Sequence, residues 1–336
     1  MSKDAILFLK MPHKLLGLDK ENSKLNIKSI KNINEETARN FFQYLRWESL
    51  SEQICPHCQK KHQAYYIKTR KQWRCKYCKH TFSLSSGTIF HSRKLSFVDI
   101  YHLLLYFNNR KCAISIYQLS IDLGICYKTA FMNVKKIQHT FLKEQESILL
   151  QGEVHIDGKY KTKSIRKCNS QQANAINKDK NKLDKQKNKF SIINATCKYK
   201  DEKQPNKWVK KSIVYIAKTE DKETVLKILN QVDKNSKIHT DSAPVYSIIK
   251  QQGFNHQKVN HAKEFCTQNG VSNNLAENFN SLLVHNLNIV KHISQKYIFL
   301  FSLETAYRRN HNQDSLIQKL IHLSTLCFNH PPIKLI

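Results

Sequence analysis

Two close pairs of cysteines constrain this chain more than any other feature. Cys55 and Cys58 are separated by two residues, Cys75 and Cys78 likewise, and sixteen residues lie between the pairs. Each pair can present two thiolates from one tight turn, and a hairpin of the intervening length can bring the pairs together as a tetrahedral cage of soft ligands for one structural Zn²⁺. His57, His62 and His80 stand nearby as alternative ligands, and a redox dithiol is the competing chemistry. The aromatic and β-branched residues between the pairs suit short strands. Residues 51–92 therefore read as a zinc ribbon. The remaining cysteines, such as Cys112 and Cys126, read as buried thiols.

A ribbon uses only a small part of 336 residues, so two or three compact units are expected. The charge balance narrows their partner. Fifty-six Lys and Arg face 26 Asp and Glu, a net charge of +30. This exceeds what solubility requires and supplies the counterion-release part of nucleic-acid affinity. A Lys-rich codon bias is the bland account of the same number. The N-terminal stretch lacks the long apolar core and small-residue cleavage site of a signal peptide, and apolar runs such as Ile100 to Asn109 are half the length of a membrane span. The expectation is a cytoplasmic, nucleoid-associated protein with no membrane partner.

Along the chain, residues 1–50 carry apolar positions at helical spacing and read as two short helices. After the ribbon, residues 93–148 read as a helical domain. Within it, Ile116, Leu119 and Leu123 line one helix, Gly124 suits a left-handed turn, and Ala130, Val134 and Ile137 continue the core on a second helix. That is helix-turn-helix spacing, with a plain helical hairpin as the alternative. Tyr127, Lys128 and Thr129 would open the recognition helix, where base edges and phosphates are met.

From residue 149 the pattern changes to three strands, helix, strand, helix, strand, helix, an order that fits a ribonuclease-H-like α/β domain over 149–312. Residues 159–189 hold eleven Lys or Arg against two acids and read as a mobile basic loop. Residues 313–336 read as a C-terminal tail. The fold class is thus multidomain α+β. Asp157 ends the first strand of this domain, Asp241 ends the fourth, and Glu277 lies one turn into the helix that begins near Asn273. Singly, each acid would serve as a cap or a surface charge. Together, in such a sheet, two aspartates meet at adjacent strand ends and a helix brings in the glutamate, a donor set for two Mg²⁺ (or Mn²⁺) ions in phosphodiester chemistry.

The strings WRCKYCKHTFSLSSGTIFHSRKLSF, GICYKTAF, EVHIDGKY, IHTDSAPVY, VNHAKEF and GVSNNLAENFNSLL, in that order, closely resemble transposases of bacterial insertion sequences related to the eukaryotic Merlin elements. The similarity covers roughly residues 40–312. It implies a zinc ribbon, a helix-turn-helix and a DDE domain that cuts at terminal inverted repeats and joins the ends to target DNA, working as a homo-oligomer. It makes Asp157, Asp241 and Glu277 the catalytic triad, with 35 residues between the last two. Some members of this group have Asn in the third place, which makes Asn274 the alternative third ligand. Val284 stands where a basic residue is often found, with His285 or Lys291 as substitutes, and His261 matches a family position that can meet phosphate. The competing readings are a nuclease of the same fold without strand transfer, and a zinc-ribbon DNA-binding protein without catalytic activity.

Overall fold

The computed structural model describes residues 33–162, 189–201, 206–259, 272–290 and 293–333. Residues 1–32, most of the basic loop, His261 and Lys291 lie outside these. The chain divides into two units. One runs to Phe141 and resumes at His311; the other spans Leu142–Asn310.

In the first unit, α1 (Glu35–Trp47) starts at Asn34, whose side chain accepts from Thr37 N at 2.8 Å, and it ends at Glu48 in the left-handed region, φ 56°. Both are cap signals that stop a helix sharply. The ribbon follows as two antiparallel pieces, β1 (Gln53–Ile54) with β2 (Lys61–His62), and β3 (Tyr65–Ile67), β4 (Gln72–Arg74) and β5 (Thr81–Phe82). A module this small has little core of its own. Trp73 and Phe82 accordingly pack on Trp47 of α1, at 5.1 and 6.2 Å between ring centroids. Arg46, half-buried and lowered to about 10 by desolvation, donates to the carbonyls of Leu84 and Ser86. The ribbon is therefore not a domain apart from residues 33–50.

Helix α2 (Phe97–Asn109) opens with a capping box formed by Ser96 and Asp99. Helices α3 (Ile116–Asp122) and α4 (Tyr127–Glu146) follow, joined through Gly124 at φ 63°. Cys112 is half-buried and Cys126 exposed, against the expectation that both are buried, because they fall in the connections before α3 and α4.

The stretch expected to be a tail instead contains α9 (Leu316–Asn329), which packs on α1 and α2. Its Phe328 stacks on Phe42 at 4.5 Å and approaches Phe90 at 5.3 Å, and Asn108 of α2 donates to Lys319 O at 3.1 Å. The apolar period in residues 316–329 closes this core.

The second unit is built on one five-stranded sheet of β6 (Glu153–Thr162), β7 (Lys189–Lys200), β8 (Trp208–Ala217), β9 (Lys237–Thr240) and β10 (Asn255–Lys258), in the order β10-β9-β6-β7-β8. Strands β6, β7 and β8 are antiparallel neighbours, while β9 runs parallel to β6 and β10 parallel to β9. The parallel strands are reached through α5 (Lys222–Leu229) and, after a 3₁₀ turn at Pro244–Tyr246, α6 (Ser247–Gln251). Alternation along the strands gives two unlike faces. Val154, Ile156, Ile193 and Ala195 point into an apolar core with Val225, Ile228 and Ile249 of α5 and α6. His155, Asp157, Asn194 and Thr196 point the other way, toward α7 (Asn274–Val290) and α8 (Gln295–Asn310). The edge strand β8 has its outward backbone paired at two positions. Gln145 makes both hydrogen bonds to Val214, at 2.8 and 3.0 Å, and Asn310 makes both to Ser212, at 2.7 and 3.0 Å.

Candidate active site

The register of β6 on β9 builds the centre of the site. The last registered parallel pair is Ile156 with Thr240, so Asp157 and Asp241 come next, side by side on neighbouring strands. Strand spacing of about 5 Å makes them neighbours whatever their rotamers. Asp157 does not end its strand. β6 continues to Thr162 as the arm of a hairpin with β7, where Asp157 pairs with Asn194. It lies at the end of the parallel ladder, in the middle of the antiparallel one.

Asp157 is half-buried, and its carboxyl is pushed up to about 6, first by desolvation and then by Asp241, with Glu277 adding to the same effect. Asn280 works against that shift, donating from Nδ2 to Asp157 Oδ2 at 2.7 Å. The Asn280 Oδ1 accepts in turn from Asn194 Nδ2 at 3.0 Å, and the same Nδ2 lies 3.2 Å from Asp157 O. Asp241 is held at its strand end by an Asx turn, its Oδ1 accepting from Ala243 N at 3.0 Å.

Glu277 stands in the first turn of α7, where the helix dipole favours an anion, three residues before Asn280 and on the same helix face. Asp157, Glu277, Asn280 and His285 line one cavity of about 670 Å³, together with Val284. Asn274 is exposed at the start of α7 and does not line it. The amide that meets Asp157 is Asn280.

A fourth carboxylate lies behind the strand. A Cβ on Gly158 would come within 2.0 Å of Glu220 Oε1, so the missing side chain is what lets Glu220 approach. Buried Ser191 and Tyr246 donate to Glu220 at 3.5 and 3.3 Å, and its carboxyl is raised by desolvation and by Asp241 and Asp157. Neither Glu220 nor Asn280 carries a sequence signal. Both are ordinary polar residues far along the chain from Asp157, and only the fold makes them neighbours. A buried His155 against His239, rings 4.7 Å apart, completes the polar face, with His155 lowered to about 4 by burial and by that neighbour.

In the first unit, the sulfurs of Cys55, Cys58, Cys75 and Cys78 lie within 4.8 Å of one another, with Cys55–Cys78 and Cys58–Cys75 at 3.6 Å. A tetrahedron with Zn–S bonds of about 2.3 Å has edges of about 3.8 Å, so the donors fit zinc. The two turns repeat one geometry: Cys55 N donates to Lys60 O and Cys75 N to His80 O, with Gln59 and Lys79 at φ 58° and 61°. The alternative histidines are used otherwise. His62 Nε2 accepts from Lys76 N at 3.2 Å, and His57 stacks on His80.

Tyr127 and Lys128 are exposed at the first two positions of α4, and Thr129 N donates to Cys126 O in its opening turn. Gly124 N donates to Ile121 O and Ile125 N to Ser120 O, closing the end of α3.

Comparison with known families bears on both units. Residues 149–310 match the ISXO2-like transposase domain, so the second unit carries a transposase domain. Residues 33–81 match the transposase zinc-ribbon domain, which includes α1 as well as the ribbon. The chain thus combines a transposase zinc ribbon with a transposase domain, and the four-cysteine group supports structural zinc. No curated protein and no solved structure matches it. Among the described residues, no helix is long and apolar enough to cross a membrane.

Proposed function

We propose that the protein is a DDE transposase of ribonuclease-H-like architecture, of the insertion-sequence group related to Merlin elements. It binds terminal inverted repeats and catalyses metal-dependent DNA cleavage and strand transfer in the bacterial cytoplasm, at the nucleoid. The observation that carries the proposal is the β6–β9 register, which leaves Asp157 beside Asp241 while Glu277 shares a cavity with Asp157. The strand order, with three antiparallel strands followed by two parallel ones, supports the architecture.

Asp157, Asp241 and Glu277 would hold two Mg²⁺ or Mn²⁺ ions. Their hard oxygen donors suit such ions, and the burial and neighbouring carboxylates that together raise Asp157 disfavour a bare negative charge that a dication would offset. Bound there, the ions supply activation of the attacking oxygen and stabilisation of the leaving oxygen in phosphodiester chemistry. Asn280 orients Asp157 by a hydrogen bond to Oδ2. Cys55, Cys58, Cys75 and Cys78 hold the structural Zn²⁺. Tyr127, Lys128 and Thr129 open the recognition helix of a helix-turn-helix. Two element ends must be held together, so the active form is a homo-oligomer on DNA.

The deciding experiment incubates purified protein with DNA carrying the element's own ends, with and without Mg²⁺. Asp157→Asn, Asp241→Asn and Glu277→Gln are each expected to lose about a thousandfold or more in cleavage and joining, with binding to the ends retained. Asn274→Ala is expected to keep most activity. Normal cleavage by the Glu277→Gln variant with an inactive Asn274→Ala variant would transfer the third role to the asparagine. Normal cleavage by both aspartate variants would end the DDE reading. Cleavage without joining would assign a nuclease, and binding alone a DNA-binding protein without catalysis.

A further inference from the structure

Within the first unit, two concavities meet at one residue pair. The larger, about 760 Å³, lies between the β3–β4 hairpin tip, with Arg70 and Lys71, and the segment carrying Arg93. The smaller, about 240 Å³, is lined by Arg93, Lys94, Lys128 and Lys136. Ser92 and Arg93 line both, so the two concavities adjoin at that pair, one reaching the ribbon hairpin and the other the opening turns of α4.

Exposed cations stand at both ends of the pair of concavities. Arg70, Lys71, Lys94 and Lys128 are exposed, and none of their charged side-chain groups has a hydrogen-bond or ion-pair partner among the described residues. Among the described residues, no acid lines the smaller concavity. Glu35 and Glu36 line the larger, but the Glu35 carboxylate is already engaged: it accepts from Phe97 N and Val98 N, each at 3.1 Å, at the start of α2, and lies 3.9 Å from Arg93. Arg93 is pinned at the junction, donating to Leu95 O and lying over the Phe97 ring at 3.8 Å. The serine hydroxyls of residues 83, 85 and 86 cluster in the wall of the larger concavity, within 3.3 Å of Ser83 Oγ, and add neutral donors. Unpaired cations at both ends, with hydroxyls between them, complement a repeating monoanion rather than a single compact ligand.

We infer that these adjoining concavities form one continuous phosphate track for the backbone of duplex DNA, so that the zinc ribbon and the helix-turn-helix grip the same duplex as a single surface. The inference rests on the transposase reading for its ligand. The track's role is positional: phosphate contacts from the ribbon would set the register in which Tyr127 and Thr129 meet base edges.

The test uses the full-length protein and DNA carrying the element's ends, with affinity measured across a series of salt concentrations and no added divalent metal. The variants are Arg70→Gln with Lys71→Gln, Lys94→Gln alone, and Lys128→Gln alone. All change exposed side chains, and unchanged zinc content and circular dichroism check the fold. Each cation taken away from a phosphate is expected to lower the slope of log affinity against log salt by about 0.9. Ethylation interference on wild type is expected to map one uninterrupted run of phosphates, which shortens from one end in the Arg70/Lys71 variant and from the other in the Lys128 variant. A slope unchanged in the Arg70/Lys71 variant but reduced in the Lys128 variant would overturn the track and leave the helix acting alone. The converse result, or two separated runs of phosphates, would overturn its continuity. Because this binding is read without cleavage, failure here is distinct from failure of the aspartate variants to lose activity.

Discussion

Asp157 carries two conflicting demands. Its position between Asp241, Glu277 and a largely buried wall disfavours the charged form, and its role in the proposed chemistry requires that form. An acid whose folded pKa is raised binds its proton more tightly in the native state, so the native state is favoured at low pH and loses stability as pH rises from about 4 to above 6. From an ordinary 3.8 to about 6, the loss is at most about 3 kcal/mol without divalent metal. Asp157→Asn keeps the shape and removes the charge. Thermal melts in metal-free buffer should therefore show the variant no less stable than wild type at pH 4 and more stable at pH 7. Added Mn²⁺ should narrow the gap by stabilising wild type alone. A stability difference that does not change with pH would show that the carboxylate is not strained by its neighbours. On opposite faces of β6, the missing side chain of Gly158 admits Glu220 and the amide of Asn280 meets Asp157.

At the scale of elements, the ribbon shows how little secondary structure is needed once a metal ties it. Its strands are two or three residues long, and the two cysteine turns are related by the same left-handed residue after each pair. With so little core, zinc binding energy becomes folding energy. Stripping the metal, or replacing any one of Cys55, Cys58, Cys75 and Cys78 by Ser, is expected to disorder residues 51–92. Trp73, wedged between Trp47 and Phe82, is the natural reporter through its fluorescence and hydrogen exchange around it. Elemental analysis of wild type should find one zinc per chain, and its absence would overturn the assignment. The β6–β7 hairpin makes the complementary point. The alternation that marks β6 is readable in the residues, but its continuation past Asp157 depends on pairing with β7 across the basic loop.

For the whole molecule, the most consequential feature is that the first unit is discontinuous. Residues from His311 onward return to it, and α9 supplies a face of its core. Phe328 is buried against Phe42 and Phe90. Phe328→Ala should cost about 3–5 kcal/mol, as aromatic deletions in tight cores do. Because Phe42 and Trp47 share α1, that loss should reach the ribbon as well. Denaturant melts should show the first unit, and the Trp73 signal with it, unfolding earlier while the second unit is unchanged. A ribbon that keeps wild-type protection in this variant would show it to be independent of α9.

The residues alone determined much of this protein. The cysteine spacing specified the metal cage, because tetrahedral thiolate ligation needs two turns and a hairpin between them. The period changes marked helices and strands, including the glycine at φ 63° between α3 and α4, because helix and strand burial have different repeats. Asp157 and Asp241 were readable because acids at the ends of apolar β runs are conspicuous. Tertiary structure decided the rest. It set the Asn280 amide on Asp157, drew Glu220 under Gly158, covered two positions of β8 with Gln145 and Asn310, and turned a supposed tail into core. Each is a contact between residues distant in the chain. Local pattern records which residues can be buried or charged, but only the packing of elements settles which of them meet.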